Sequence, residues 1–156
     1  MNDNQLKSDN YNQKGIEAAD RKWMEEAILA FKKAIELEYD YPDAHVNLGA
    51  YHAETGNREE AIRSFRAAIE LDPDDLDARY ELAAALIGQD NHVEAIRELK
   101  RIAKIAPERG DVWIELGNAY AAQGFYEIAE QYFQKAAEFD EAYAASRASP
   151  SSKEPI

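Results

Sequence analysis

Residues 47–65 read NLGAYHAETGNREEAIRSF, and residues 115–133 read ELGNAYAAQGFYEIAEQYF. A Leu-Gly pair, a central Gly, an Ala and a closing Phe keep their places across an offset of 68 residues. Since 68 is twice 34, a further copy is expected midway, and YELAAALIGQDNHVEAIRELKRIAKIAP begins there at Tyr80. Another lies 34 residues before the first, from Asn12. Four units thus tile 8–41, 42–75, 76–109 and 110–143 without insertion. One column reads Gly15, Gly49, Ala83, Gly117, another Ala27, Ala61, Ala95, Ala129, and a third Phe31, Phe65, Leu99, Phe133. Unbroken register over four copies indicates a repeat architecture.

Each unit reads as two helices. In the second, apolar residues from Ala44 to His52 recur at helical spacing, the segment 54–57 (ETGN) interrupts them, and 60–71 resumes the pattern. Asp72-Pro73 closes the unit, because proline cannot continue a helix and restricts the residue before it. A Gly or Ala where two helices cross lets their backbones approach, and the large Phe fills the space alongside. Each pair hides one face only against its neighbours, so several must stack.

The composition narrows the function. The chain has 156 residues, a net charge of −13 and no cysteine. That excludes disulfides and thiolate chemistry, and it argues against nucleic acid or an anionic membrane as partner, since both require clustered Lys and Arg. The first residues, MNDNQLKSDN, show no signal peptide, and no apolar run is long enough to span a membrane. The expectation is a cytoplasmic protein. His45, His52 and His92 have no acidic or cysteine cluster around them in sequence and read as packing residues. With no Gly-rich phosphate loop and no nucleophile beside a base, the chain reads as non-enzymatic, without cofactor or metal.

Numbered from the start of each unit, these columns resemble the tetratricopeptide repeat (TPR) family: a large aromatic at position 4, Leu-Gly at 7–8, Tyr at 11, Gly at 15, Ala at 20, Phe at 24, Ala at 27 and Pro at 32. The fourth unit follows the pattern with Trp113, Leu116, Gly117, Tyr120, Gly124, Ala129, Phe133 and Ala136, and lacks only the proline. The second has His45 and His52 for the early aromatics. The first departs most, with Lys14 for Leu, Ala18 for Tyr, Lys22 for Gly and Tyr39 for Pro. The resemblance covers 8–143 and implies an all-α, right-handed superhelical stack of eight helices in antiparallel pairs. Residues 1–7 and 144–156 are expected to be flexible ends.

The resemblance also implies a concave surface lined by the first helix of each unit. Its floor would carry Val46, Asn47, Ala50, Tyr80, Ala84, Ile87, Ile114 and Asn118, joined by Asn12, Ile16 and Ala19 of the first unit. Its rim would be acidic, through Asp43, Asp77, Glu81, Asp111 and Glu115. Position 2 is Asp in every unit (Asp9, Asp43, Asp77, Asp111), each expected in the first turn of a helix, where the dipole favours an anion. The carboxylate clamp of some family members is rejected: only Asn47 matches it, and Asp77 and Glu81 stand where cations are needed.

The expected partner is another protein, offering a peptide or helix with apolar anchors and basic flanks, as for an adaptor, scaffold or co-chaperone-like module. A monomer is favoured; the alternative is a structural protein that self-associates. Asn10, Lys14 and Glu17 give the first unit a wet outer face where later units are apolar, and Glu130 is charged where the other units carry Ile28, Ile62 and Ile96. Both features read as caps on the stack.

Overall fold

The computed structural model describes residues 2–148. These form eight helices and no strand: α1 (Asp3–Asp20), α2 (Met24–Leu37), α3 (Pro42–Glu54), α4 (Arg58–Leu71), α5 (Leu76–Ile87), α6 (His92–Ile105), α7 (Gly110–Ala122) and α8 (Tyr126–Ala148). The chain divides into two compact units, Met1–Asn91 and His92–Ile156, so the boundary falls in the loop between α5 and α6. In the first unit α1 packs on α2, α3 on α4, α2 on α3 and α4 on α5; in the second, α6 packs on α7 and α7 on α8.

The helix pairs are close because of the small-residue column. A Cβ placed on Gly15 would stand 2.5 Å from the Phe31 ring, one on Gly49 2.8 Å from Phe65, and one on Gly117 would overlap Phe133. Phe31 and Phe65 are fully buried in these crossings. Phe133 is only half-buried, since no later helix among the described residues covers α8.

Every helix pair turns the same corner. The N–H at position 16 bonds the carbonyl at position 11: Trp23 to Ala18 at 2.9 Å, Asn57 to His52 at 2.8 Å, Asn91 to Leu86 at 2.9 Å and Phe125 to Tyr120 at 3.0 Å. This six-to-one bond closes a Schellman turn and requires a left-handed residue inside it. Position 15 supplies it each time, with φ of 60° at Lys22, 84° at Gly56, 59° at Asp90 and 83° at Gly124.

The joints between repeats share a second rule. At position 4 a side-chain N–H reaches six residues back to the carbonyl at position 32 of the preceding unit. His45 Nε2 lies 3.1 Å from the Tyr39 carbonyl. Arg79 donates to Pro73 at 2.9 and 3.3 Å, and Trp113 Nε1 donates to Pro107 at 2.7 Å. A carbonyl only accepts, so His45 carries its proton on Nε2. All three side chains are buried.

The chain ends differ from the sequence expectation. α1 begins at Asp3, not after residue 7, because the Asn2 side chain caps it by accepting from the Gln5 N–H at 2.8 Å. Ser8 is fully buried and donates from its hydroxyl to the Ala34 carbonyl at 2.9 Å, anchoring this early turn to α2. α8 runs on to Ala148, past the repeat boundary at 143, where 144–148 were expected to be tail; helix-forming alanines at 142, 144 and 145 favour that extension. Residues 149–156 of the expected tail lie outside the described residues.

Two predictions follow from these turns and crossings. Gly49→Ala gains about 1 kcal/mol of helix propensity but forces a methyl into a buried ring, an overpacking cost of about 1–3 kcal/mol. We expect net destabilisation in urea unfolding, with a smaller loss for Gly117→Ala, whose half-exposed Phe133 has room to swing away. Lys22→Gly relieves a left-handed lysine, a strain of about 1–2 kcal/mol, against some added chain entropy. The unfolding midpoint should rise.

Candidate functional site

The first helix of each repeat presents the residues expected to form the floor. On α3, Val46 and Asn47 are half-buried and Ala50 is exposed; on α5, Tyr80 and Ile87 are half-buried and Ala84 is exposed. The first unit brings some of these together. A small cavity of about 170 Å³ lies between α1 and α3, bounded by Ile16, Ala19, Asn47, Ala50, Tyr51 and Glu54. Ile114 and Asn118 are exposed on α7, in the other unit.

Asn47 is already engaged. Its Nδ2 donates to Asn12 Oδ1 at 3.0 Å, and Asn12 Nδ2 in turn donates to the Tyr41 hydroxyl at 3.2 Å. Tyr41 also bonds Asp9, and its ionisation is pushed up, first by burial and then by that carboxylate. The amide ladder ties the first helices of two successive repeats to the link between them.

The rim residues Asp43, Asp77, Glu81 and Asp111 are exposed and Glu115 is half-buried. Asp43, Asp77 and Asp111 do sit in first turns. Asp9 does not, because the early start of α1 places it mid-helix. Asp111 is partly neutralised: Arg109 donates to it at 2.7 and 3.3 Å, and this bond holds its carboxyl below the usual range.

His45 and His52 are buried and His92 is half-buried. His45 lies edge-on to Tyr39, with ring centroids 5.2 Å apart. His52 is buried, and its Nδ1 has no hydrogen-bond partner among the described residues. Burial lowers its proton affinity, Glu60 opposes that, and Lys32 adds to it. No group of three or more His, Cys, Asp or Glu residues suited to a metal occurs among the described residues.

One feature escaped the sequence reading. A groove of about 580 Å³ runs along the outer face of α1 and α2, lined by residues that include Tyr11, Lys14, Ala18, Arg21, Trp23 and Leu29. Lys14 and Glu17 are exposed on this face, but so are Trp23 at 52% and Leu29 at 67%, so the cap is not simply wet. The signal lay at positions 11 and 23. There the first unit has Ala18 and Ala30, where the fourth has Tyr120 and Tyr132, stacked with centroids 5.4 Å apart.

The geometry defines a class: an α-helical repeat protein built from helix pairs that share one turn and one joint. Sequence models described as "Tetratricopeptide repeat" match residues 52–109 and 86–149, and one described as "TPR repeat" matches 20–56. The chain belongs to the tetratricopeptide repeat family, whose members are protein–protein interaction modules. No curated protein matches it in sequence. Among solved structures, a crystal structure of MamA is 26% identical, with a TM-score of 0.83 over 88% of this chain and 81% of that one. MamA from Desulfovibrio magneticus RS-1, from residue 41 to its end, is 25% identical with a TM-score of 0.81 over 90% and 78%. PilF of Pseudomonas aeruginosa, at 23% identity, a TM-score of 0.74 and coverage of 90% and 64%, shares the fold. No helix among the described residues is long and apolar enough to cross a membrane.

The buried imidazole sets a pH dependence. A histidine depressed in the folded state is neutral in both states above its ordinary value of about 6.5. As pH falls through that value the unfolded chain takes up the proton first, so stability drops. Comparing urea midpoints at pH 7.5 and 5.5, we expect a larger loss for wild type than for His52→Phe.

Proposed function

We propose that this chain is a non-enzymatic adaptor or scaffold whose first-helix surface binds a peptide or helix with apolar anchors and Lys or Arg flanks. The carrying observation is the juxtaposition on α3 and α5 of Val46, Tyr80 and Ile87, half-buried apolar side chains, with the exposed carboxylates Asp43, Asp77 and Glu81. An apolar strip with a one-sign border supplies affinity through burial and selectivity through charge. Ile114, Asn118, Asp111 and Glu115 carry the same pairing on α7 in the second unit. The Asn47–Asn12 bond supports the rejection of a carboxylate clamp, because the Asn47 amide already has an acceptor. In this reading Ala50 and Ala84 keep the floor low enough for a ligand to lie close to the helices.

The test uses synthetic peptides of one apolar core with Lys/Arg, neutral or Glu/Asp flanks, titrated by fluorescence anisotropy. Basic peptides should bind at an order-of-magnitude micromolar Kd, and acidic ones not at all. Tyr80→Ala should cost about 1–2 kcal/mol of binding while circular dichroism stays unchanged. Equal binding of basic and acidic peptides would defeat the proposal.

A further inference from the structure

We propose that the groove on α1 and α2 receives α8 of a second copy of this chain, in the register that the repeats use among themselves. In the first unit, Ile28 of α2 packs against the cluster that holds Leu48 and Tyr51 of α3. These are position 21 of one repeat and positions 7 and 10 of the next. Carried to a junction between copies, position 21 is Glu130, and positions 7 and 10 are Lys14 and Glu17. α2 and α3 are joined by the short link 38–41 and therefore run antiparallel. The same polarity brings position 18, Glu127, to position 14, Arg21.

The two faces match in charge. Glu127 and Glu130 are exposed and lie one turn apart on α8; Glu130 accepts only from its neighbour Gln134, at 3.2 Å, among the described contacts. On the groove, Lys14 and Arg21 rest over aromatic rings, 5.1 Å from Tyr11 and 5.0 Å from Trp23. Glu17 and Glu26 also line the groove and are like-charged with the incoming glutamates; the cations there are Lys14, Arg21 and Lys33, the last paired with Glu36 at 2.9 Å. The apolar surfaces match as well. Phe133, one turn beyond Glu130, is half-exposed, whereas its equivalents are 2% and 0% exposed at Phe31 and Phe65. Trp23 and Leu29 stand uncovered across the groove. A charge of −13 repels copies in most orientations, so acids at one end and cations at the other favour this one. The donor and acceptor faces are different surfaces of the chain, so each copy offers one of each.

The test is sedimentation velocity on the full chain from micromolar to millimolar concentration, at low and high salt. Two variants reverse one face each: Glu127→Lys with Glu130→Lys, and Lys14→Glu with Arg21→Glu. All four positions are exposed, and circular dichroism checks that both variants fold. Wild type should gain mass with concentration, and less so in high salt. Each variant alone should lose association by tenfold or more, and an equimolar mixture of the two should regain it, since each retains one native face. Peptide binding on the first-helix surface should be unchanged in both, so this proposal and the previous one fail separately. A wild type that stays monomeric throughout overturns the inference. So does association that neither variant weakens, or a mixture that stays apart.

Discussion

At each described joint between repeats, one carbonyl depends on a side chain. The residue at position 32 ends the second helix's exit, and the chain then turns into the next first helix; Pro73 and Pro107 enforce that exit but contribute no N–H of their own. The donors His45, Arg79 and Trp113 are buried, and a buried N–H left without an acceptor costs on the order of 1–3 kcal/mol. The first turn of the next helix supplies the donor, as imidazole, guanidinium or indole. The joint therefore selects for a long N–H donor rather than for an aromatic ring. Once it is made, the loop length and the angle of the incoming helix are fixed, and the small-residue crossing behind it falls into place.

That crossing explains a gradient along the chain. Where a following helix covers the pair, the filler ring is locked, as at Phe31 and Phe65. Where none does, as at Phe133, the ring is half-exposed and the packing it offers is incomplete. The fourth repeat compensates inside its own pair. Trp113 stacks on Phe139 and Tyr132, with centroids 6.3 and 6.1 Å away, and Lys135 lies 4.1 Å above the indole. The first repeat has the opposite arrangement: small Ala18 and Ala30 leave the outer groove unfilled.

The sequence made the period, the helix pairs and the family legible, because volume alternates regularly in those columns. The donor column was hidden by sorting residues into apolar and polar classes: His45, Arg79 and Trp113 share no class, only an N–H at the right reach. The left-handed turn was half legible. Gly56 and Gly124 announce it, while Lys22 and Asp90 adopt it because the surrounding turn hydrogen bonds demand it. For the candidate site, the floor and rim positions follow from the register. The engagement of Asn47 with Asn12 does not, since hydrogen bonds between residues 35 apart depend on side-chain reach that spacing alone does not specify.

Magnitudes decide how the two end faces divide their work. An exposed ion pair contributes about 0–1 kcal/mol, so Lys14 or Arg21 against a glutamate cannot hold two copies together alone. Burial at about 25 cal/mol per Å² makes Trp23, Leu29 and Phe133 the source of affinity. The charges act on choice instead. Turning α8 by one face, or docking acid on acid, removes the attractions and adds repulsion in a chain that already carries −13. The same charged residues keep each end hydrated while it is free. A face built from apolar residues alone would bind more tightly but with less discrimination. Lys14 in place of leucine, and Glu130 in place of isoleucine, trade some strength of association for control over its direction.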